Sequence, residues 1–299
     1  MSKNLNATEP CFSSGFKMNI LTFDIEEWFH LLDHPGTRNE ADWAKFPVRI
    51  HENMDRILAM LAQNEQSATF FCLGWVARKY PEVIRQISDA GHEIATHSDL
   101  HQLAYQQNRS QFSEDLSRSI QSLESLVGKK IRAYRAPGFS LKEENKWVFD
   151  ELLKNGIEID CSIFPAKRAH GGFENFGQQE PCWVEMNGVR LKEFPINVSY
   201  VGKFPLIFSG GGYFRLFPNF VLDQLWKNQS YVMTYFHPRD FDPGQPMMED
   251  LSLIRKFKSY YGLASAMDKL AFLIKKYPFV DLATADRAID WKKARVVRL

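Results

Sequence analysis

From residue 19 onward, short apolar runs alternate with amphipathic stretches. The run at 19–24 reads as a buried strand. Met54, Ile57, Leu58 and Leu61 then recur at i, i+3, i+4 and i+7, the spacing of one helix face. A second strand is expected at 68–73. Tyr80, Val83, Ile84 and Ile87 mark a second helix that stops at Ala90 and Gly91. The pattern repeats with a strand at 93–97, a helix through Leu116, Ile120, Leu123 and Val127 stopping at Gly128, and a strand at 131–135. A helix at 147–153, ended by Asn155 and Gly156, and a strand at 157–160 complete the regular part. Residues 165–217 break the rhythm with Gly171, Gly172, Pro181, Pro195, Pro205 and three glycines at 210–212, so this stretch is expected to be an irregular insertion with one strand around 189–196. The alternation resumes with a helix near 220–226, a strand at 231–237, helices near 249–260 and 265–276, and a strand at 279–283. Strict strand–helix alternation implies parallel strands joined by crossover helices. The expected fold class is therefore α/β, a (β/α) barrel of about seven parallel strands. It would occupy 18–299 as one domain, with 165–217 inserted before the last motif and 1–17 as a disordered leader.

Composition narrows the partners. The 299 residues are 44% hydrophobic and 24% charged, with a net charge of +1. No strong field exists to attract nucleic acid or an anionic membrane, and a neutral polymer or small molecule fits this balance better. The four cysteines, Cys11, Cys72, Cys161 and Cys182, form no C-x-x-C pair, which argues against a thiolate metal site and for reduced thiols. No run approaches 18 apolar residues, and 1–17 lacks the apolar segment of a secretory signal, so a cytoplasmic location is expected.

The polar residues gain interest from where they fall. Asp24 ends the first expected strand, His97 the third, Arg135 the fourth, Asp160 the fifth and His237 a late one. In a parallel barrel the C-terminal strand ends share one rim, where such folds build active sites. Taken singly, each has an ordinary reading: a strand-end Asp can cap the next helix, a lone His can be a satisfied core residue, and an Arg before Ala-Pro-Gly can brace a turn. Together they suggest one site. His97 and His101 stand four apart, which on a helical turn places two imidazoles on one side, a donor set that suits zinc. Asp24, Glu26 and Glu27 offer carboxylates nearby, with Asp24 and Glu26 on the same side if the strand continues. His30, His34, His51 and His92 read as surface or turn residues, and His170 receives no role.

At these residues the chain resembles the polysaccharide deacetylases, the NodB-homology proteins or family 4 carbohydrate esterases. Five motifs match in order: Thr22-Phe23-Asp24-Ile25-Glu26-Glu27-Trp28, His97-Ser98-Asp99-Leu100-His101, Arg135-Ala136-Pro137-Gly138-Phe139, Asp160-Cys161-Ser162, and His237-Pro238. The resemblance implies a distorted barrel of the NodB type. It also implies a divalent metal, zinc first among candidates, on one carboxylate with His97 and His101. The common motif has two adjacent aspartates, and Ile25 stands in the second place here. Some members space the carboxylates one residue apart, which puts the metal ligand at Glu26, with Glu27 as the fallback. The resemblance further implies Asp24 as general base, Arg135 holding Asp24, His237 as general acid and Asp160 orienting His237. It implies a hydrolase that removes N-acetyl groups from an amino sugar in a polysaccharide or glycan precursor. The first motif also resembles that of a bacterial subgroup tied to exopolysaccharide and surface-glycan clusters, to which the segment 210–215 would belong, with Arg215 either touching substrate or structural. Alternatives remain at this point: an allantoinase-like cyclic amide hydrolase on the same fold, a metal-free glycan-binding protein and, less suited to the Arg and His motifs, an oxygen-using iron enzyme on two His and one carboxylate.

Overall fold

The computed structural model describes residues 17–299 apart from 33, 169, 202, 203, 249 and 250. The leader expected at 1–17, with Cys11, thus lies almost wholly outside the described residues. The first strand is interrupted at Leu21, giving β1 (Met18–Ile20) and β2 (Thr22–Ile25). After a short helix α1 (Glu40–Trp43) come α2 (Ile50–Gln63), β3 (Thr69–Cys72), α3 (Gly74–Lys79), α4 (Pro81–Asp89) and β4 (Glu93–Thr96). Helix α5 (Arg109–Val127), β5 (Ala133–Tyr134), α6 (Val148–Lys154) and β6 (Ile159–Asp160) follow. The chain then forms β7 (Cys182–Met186), β8 (Val189–Glu193), β9 (Ser199–Val201) and β10 (Phe204–Leu206). Helices α7 (Gly211–Leu216) and α8 (Asn219–Lys227), strand β11 (Tyr231–Met233), helices α9 (Leu253–Tyr260) and α10 (Leu263–Lys276), β12 (Phe279–Val280), α11 (Leu282–Ala288) and β13 (Arg295–Arg298) complete it.

Strands β2 to β6 run parallel in chain order, as the alternating pattern implies. The broken first strand is flanked by β11, whose chain continues to bridge Phe236 with Phe23, and on its other edge passes from β12 to β3. Barrel closure at the far side is incomplete. There, side chains span the gap: Tyr231 donates its hydroxyl proton to the Pro195 carbonyl at 2.8 Å, and Asn197 Oδ1 accepts from the Met233 amide at 3.2 Å.

The stretch 165–217 is more ordered than an irregular insertion. Strands β7 and β8 form an antiparallel hairpin in which Met186 faces Val189 across the two-residue turn Asn187–Gly188. Both turn residues have positive φ, 51° and 79°, the twist-matched geometry that Asn-Gly favours. Strand β8 then joins β6 in parallel, and β13 adds beyond β7, so the eight-stranded sheet is mixed rather than wholly parallel.

The expected helix faces pack inward. Met54, Ile57, Leu58 and Leu61 of α2 and Val83, Ile84 and Ile87 of α4 bury against Phe23, Ile25 and Phe70. Helix α5 starts at a capping box in which Asn108 accepts from the Gln111 amide and Gln111 accepts from the Asn108 amide. It ends at Gly128 in the left-handed conformation, φ 64°. The barrel interior is filled by Ile20, Phe71, Ala95, Ala133, Ile159 and Met233, an apolar plug beneath the C-terminal rim.

Candidate active site

Asp24 and Glu26 leave the end of β2 side by side, and both are buried. Arg135, fully buried just past β5, donates from Nη1 to Asp24 Oδ1 at 2.7 Å and to Thr22 Oγ1 at 2.8 Å. Its guanidinium lies 4.1 Å from the Phe71 ring centre, which fixes its plane. The other Asp24 oxygen, Oδ2, stands 3.9 Å from His237 Nε2.

His97 follows β4. Its Nδ1 is 2.8 Å from the Arg135 carbonyl. A carbonyl only accepts, so Nδ1 carries the proton and Nε2 keeps a free lone pair. Burial is the main cause that pushes His97 down to about 4; the His101 charge reinforces it and Asp24 opposes it. The neutral ring is the form a metal needs.

His97 and His101 do not sit on a helical turn as expected. The chain between them is a loop with Ser98 and His101 at positive φ, 74° and 56°. Helix α5 grips that loop: Asp115 accepts from the amides of Asp99 and Leu100 at 2.8 and 3.1 Å, and Ser119 donates to the Ser98 carbonyl. Held this way, the two imidazoles lie 5.3 Å apart.

One ligand atom from each of Glu26, His97 and His101 falls within 4.8 Å of the others, the only such group of at least three found among the described residues. Glu26 Oε2 approaches His101 Nε2 to 2.7 Å, yet it is buried without a well-aligned hydrogen-bond donor. Two lone-pair atoms converging with no aligned proton between them are what a bridging cation would satisfy, so the residues fit a divalent ion. Burial opposes ionisation of Glu26, but the charge of His101 first, and then those of His237 and His30, outweigh it, holding the carboxyl well below the usual range.

The fallback ligand, Glu27, is used elsewhere. Its carboxylate accepts from the backbone amides of Arg49 and Ile50 at 3.0 and 3.1 Å, capping the start of α2. Burial raises its pKa, and those bonds oppose the rise.

Asp160 does not orient His237. It accepts from Ser162 Oγ at 2.5 Å and faces Glu193 across the β6–β8 pairing. Burial raises it to about 6, against the hydrogen bonds of Glu193 and Ser162. The residue that holds His237 is Asp240, whose Oδ2 lies 3.1 Å from Nδ1 and also accepts the His237 amide at 3.0 Å. Asp240 is in turn paired with Arg215, which is buried and donates on to the Lys258 carbonyl at 2.7 Å. Burial works against the Asp240 charge, but Arg215 and His237 bring it down to about 2. For His237 burial also opposes the charge, yet the Asp240 hydrogen bond and the charges of Glu26, Asp240 and Asp24 raise the pKa.

His30 is no surface residue. It is 4% exposed, packed among Phe29, Trp43 and Trp75, with its ring 5.8 Å from His101. Its Nδ1 accepts the Glu27 amide, and burial first, with His101 and His97 assisting, depresses it to about 3. The sequence signal was present, since His30 follows Trp28 and Phe29 in an apolar run; Asp240 had the weaker one of standing three residues after His237.

Comparison with known families bears on this geometry. Residues 15–157 match the model described as polysaccharide deacetylase. Those residues, just under half of the chain, resemble the polysaccharide deacetylase family. The matched segment carries Asp24, Glu26, His97, His101 and Arg135. Residues 161–286, which bring Asp160, Arg215, His237 and Asp240, match a domain of unknown function, DUF3473. A peptidoglycan-N-acetylglucosamine deacetylase of Bacillus cereus is 30% identical over 97 residues, 32% of this chain and 35% of that protein. A peptidoglycan deacetylase of Helicobacter pylori is 29% identical over 108 residues, 36% of each. The match therefore spans about a third of the length of these curated relatives. A crystal structure from Mycobacterium smegmatis, provisionally described as a polysaccharide deacetylase, superposes with a TM-score of 0.68 at 20% identity over 98% of this chain and 97% of that one. At that identity the likeness establishes a shared fold.

Proposed function

We propose that the protein is a metal-dependent hydrolase that removes the acetyl group from the nitrogen of an amino sugar. The observation that carries this reading is the convergence of Glu26, His97 and His101 beside the Asp24–Arg135 pair, with His237 3.9 Å across from Asp24.

Glu26, His97 and His101 would hold the ion, and two imidazoles with one carboxylate point to zinc. A divalent ion there supplies Lewis acidity that polarises an amide carbonyl and eases ionisation of water. Arg135 engages one oxygen of Asp24, so the other is left to take a proton from water as that water attacks the acetamide carbon. His237 Nε2, on the opposite side, gives a proton to the sugar nitrogen as the carbon–nitrogen bond breaks. Its Nδ1 is tied to Asp240, so the proton to be given sits on Nε2. Acetic acid and a free amino sugar leave, and the proton taken by Asp24 balances the one His237 has given.

The test is hydrolysis of N-acetylated oligosaccharides by purified protein before and after chelation, with zinc restored. Release of acetate that disappears with the chelator and returns with zinc supports the reading. Full activity in His97→Ala would remove the metal from it, and turnover of allantoin instead of sugars would favour a cyclic amide as substrate.

A further inference from the structure

The cavity over the site, about 310 Å³, is lined by the groups described above and on its outer side by Arg168, Arg239, Arg255 and Lys258. The other acids of the same cavity are already matched, Asp24 by Arg135 and Asp240 by Arg215 and His237, while Glu26 faces His101 at the site proposed for the ion. Among the described residues no carboxylate pairs with Arg168, Arg239 or Lys258. The chain carries a net charge of only +1, so this local surplus does not follow from composition.

Arg168 is held by rings rather than by an acid. Its guanidinium lies 4.9 Å from Phe139, 4.9 Å from Phe164 and 5.4 Å from Tyr235, contacts that fix its position while leaving its charge. Arg239 sits on the short turn Pro238–Phe241 directly after His237, half-buried. Burial disfavours its charge, and Asp240 and Glu26 act on it only from a distance. A cation drawn out of water without a partner is costly until a counter-charge arrives. Guanidinium groups suit oxyanions in particular, because their planar donors pair two oxygens at once.

We propose that the sugar bound here carries an anionic oxygen group, a phosphate or a carboxylate, near its acetamido group, received by Arg239, Arg168 and Lys258. This rests on the deacetylase reading of the same site. The anion has three sources: a soluble sugar phosphate, a lipid-linked sugar phosphate, or a uronate beside the amino sugar. The lipid-linked source is included because the outer face of α9 exposes Leu253, Ile254 and Phe257 on the helix that carries Lys258.

The experiment is calorimetric binding to the full chain at low and at raised salt. The probes are N-acetylglucosamine 1-phosphate, prenyl-phosphate-linked N-acetylglucosamine in neutral micelles, an N-acetylglucosamine–glucuronate disaccharide and neutral diacetylchitobiose. At least one anionic probe is expected to bind tenfold tighter than diacetylchitobiose at low salt, with the gap narrowing as salt screens the charges. Arg239→Gln and Lys258→Gln should each cut that preference at least fivefold, and Arg239→Lys should keep most of it. Lys258 is exposed, so its variant guards against a mere folding defect at Arg239. The anionic probe that wins identifies the source. Equal affinity for neutral and anionic probes, no measurable binding of any anionic probe, or a preference that survives both glutamine variants overturns the proposal. Anion-dependent binding without acetate release would sink the deacetylase reading alone; acetate release from diacetylchitobiose with no anionic preference would sink this one alone.

Discussion

Asp240 Oδ2 lies 3.1 Å from His237 Nδ1, three residues away along a single 3-10 turn, and Arg215 closes on the other oxygen of the same carboxylate. Arginine, aspartate and histidine form a buried chain that ends at the cavity, and the charge on the imidazole is sustained from behind.

If His237 is the general acid of the proposed reaction, that chain is expected to set the alkaline limit of activity. A general acid works while protonated, and His237 is held above its ordinary value, so activity should fall as pH rises through that raised value. Asp240→Asn removes a hydrogen-bonded charge and should move the alkaline limb of kcat/KM to lower pH, by an amount read at about 1.4 kcal/mol per pH unit. Comparing the two proteins at equal metal loading cancels the field of the ion. An unmoved limb in Asp240→Asn, or an equal shift in Asp160→Asn, would show that Asp240 does not tune His237.

The two neighbouring glutamates should separate cleanly. Glu26→Ala is expected to lose metal, measured by elemental analysis, and with it the activity. Glu27→Ala should keep metal stoichiometry but unfold more easily, by about 1–3 kcal/mol, because it strips the amides of Arg49 and Ile50 of their buried acceptor. Loss of metal in the Glu27 variant with retention in the Glu26 variant would reverse the assignment.

Arg135 and Asp24 are both buried, so breaking their pair costs more than activity. Arg135→Ala leaves a carboxylate without its partner inside the protein and should lower stability by about 3–5 kcal/mol in denaturant titration. Asp24→Asn retains an acceptor for Arg135 and should lose activity with a smaller loss of stability. Equal stability of Arg135→Ala and the parent would contradict the pairing.

Asp160 and Glu193 face each other in the sheet, and burial, with their mutual repulsion for Glu193, raises both carboxyls. For an acid raised on folding, the folded chain binds more protons than the unfolded one between the two pKa values. Stability therefore falls as pH climbs from near 4 through about 6. Glu193→Gln keeps an acceptor for the Ile163 amide and relieves the repulsion, so the decline in Tm across that interval should flatten. A slope identical to that of the parent protein would remove the pair from the pH response.

How much of this was legible in the chain differs from residue to residue. The periodic faces of α2 and α4, and the strands β2 and β4 that lead to Asp24 and His97, follow from hydrophobic spacing, because burial of a face is a local property repeated along an element. Gly128 announced its own helix end. Asn187 and Gly188 carry a hairpin signal, but the surrounding glycines and prolines mask it as irregular loop. The spacing of His97 and His101 suggested a helical turn, whereas Asp115, contributed by α5, holds a loop there instead.

By itself the sequence determined the alternating strands and helices through residue 160 and the late strand before His237, and therefore that Asp24, Glu26, His97, Arg135 and His237 share one rim. Tertiary structure alone decided the pairings on that rim: Glu26 toward the imidazoles and Glu27 toward α2, Asp240 rather than Asp160 on His237, and His30 in the core rather than at the surface. The reason is physical. Element type and burial depend on near neighbours in the chain, but the partner of a buried charge is chosen by distances of a few ångströms between segments the sequence keeps far apart, and only packing fixes those distances.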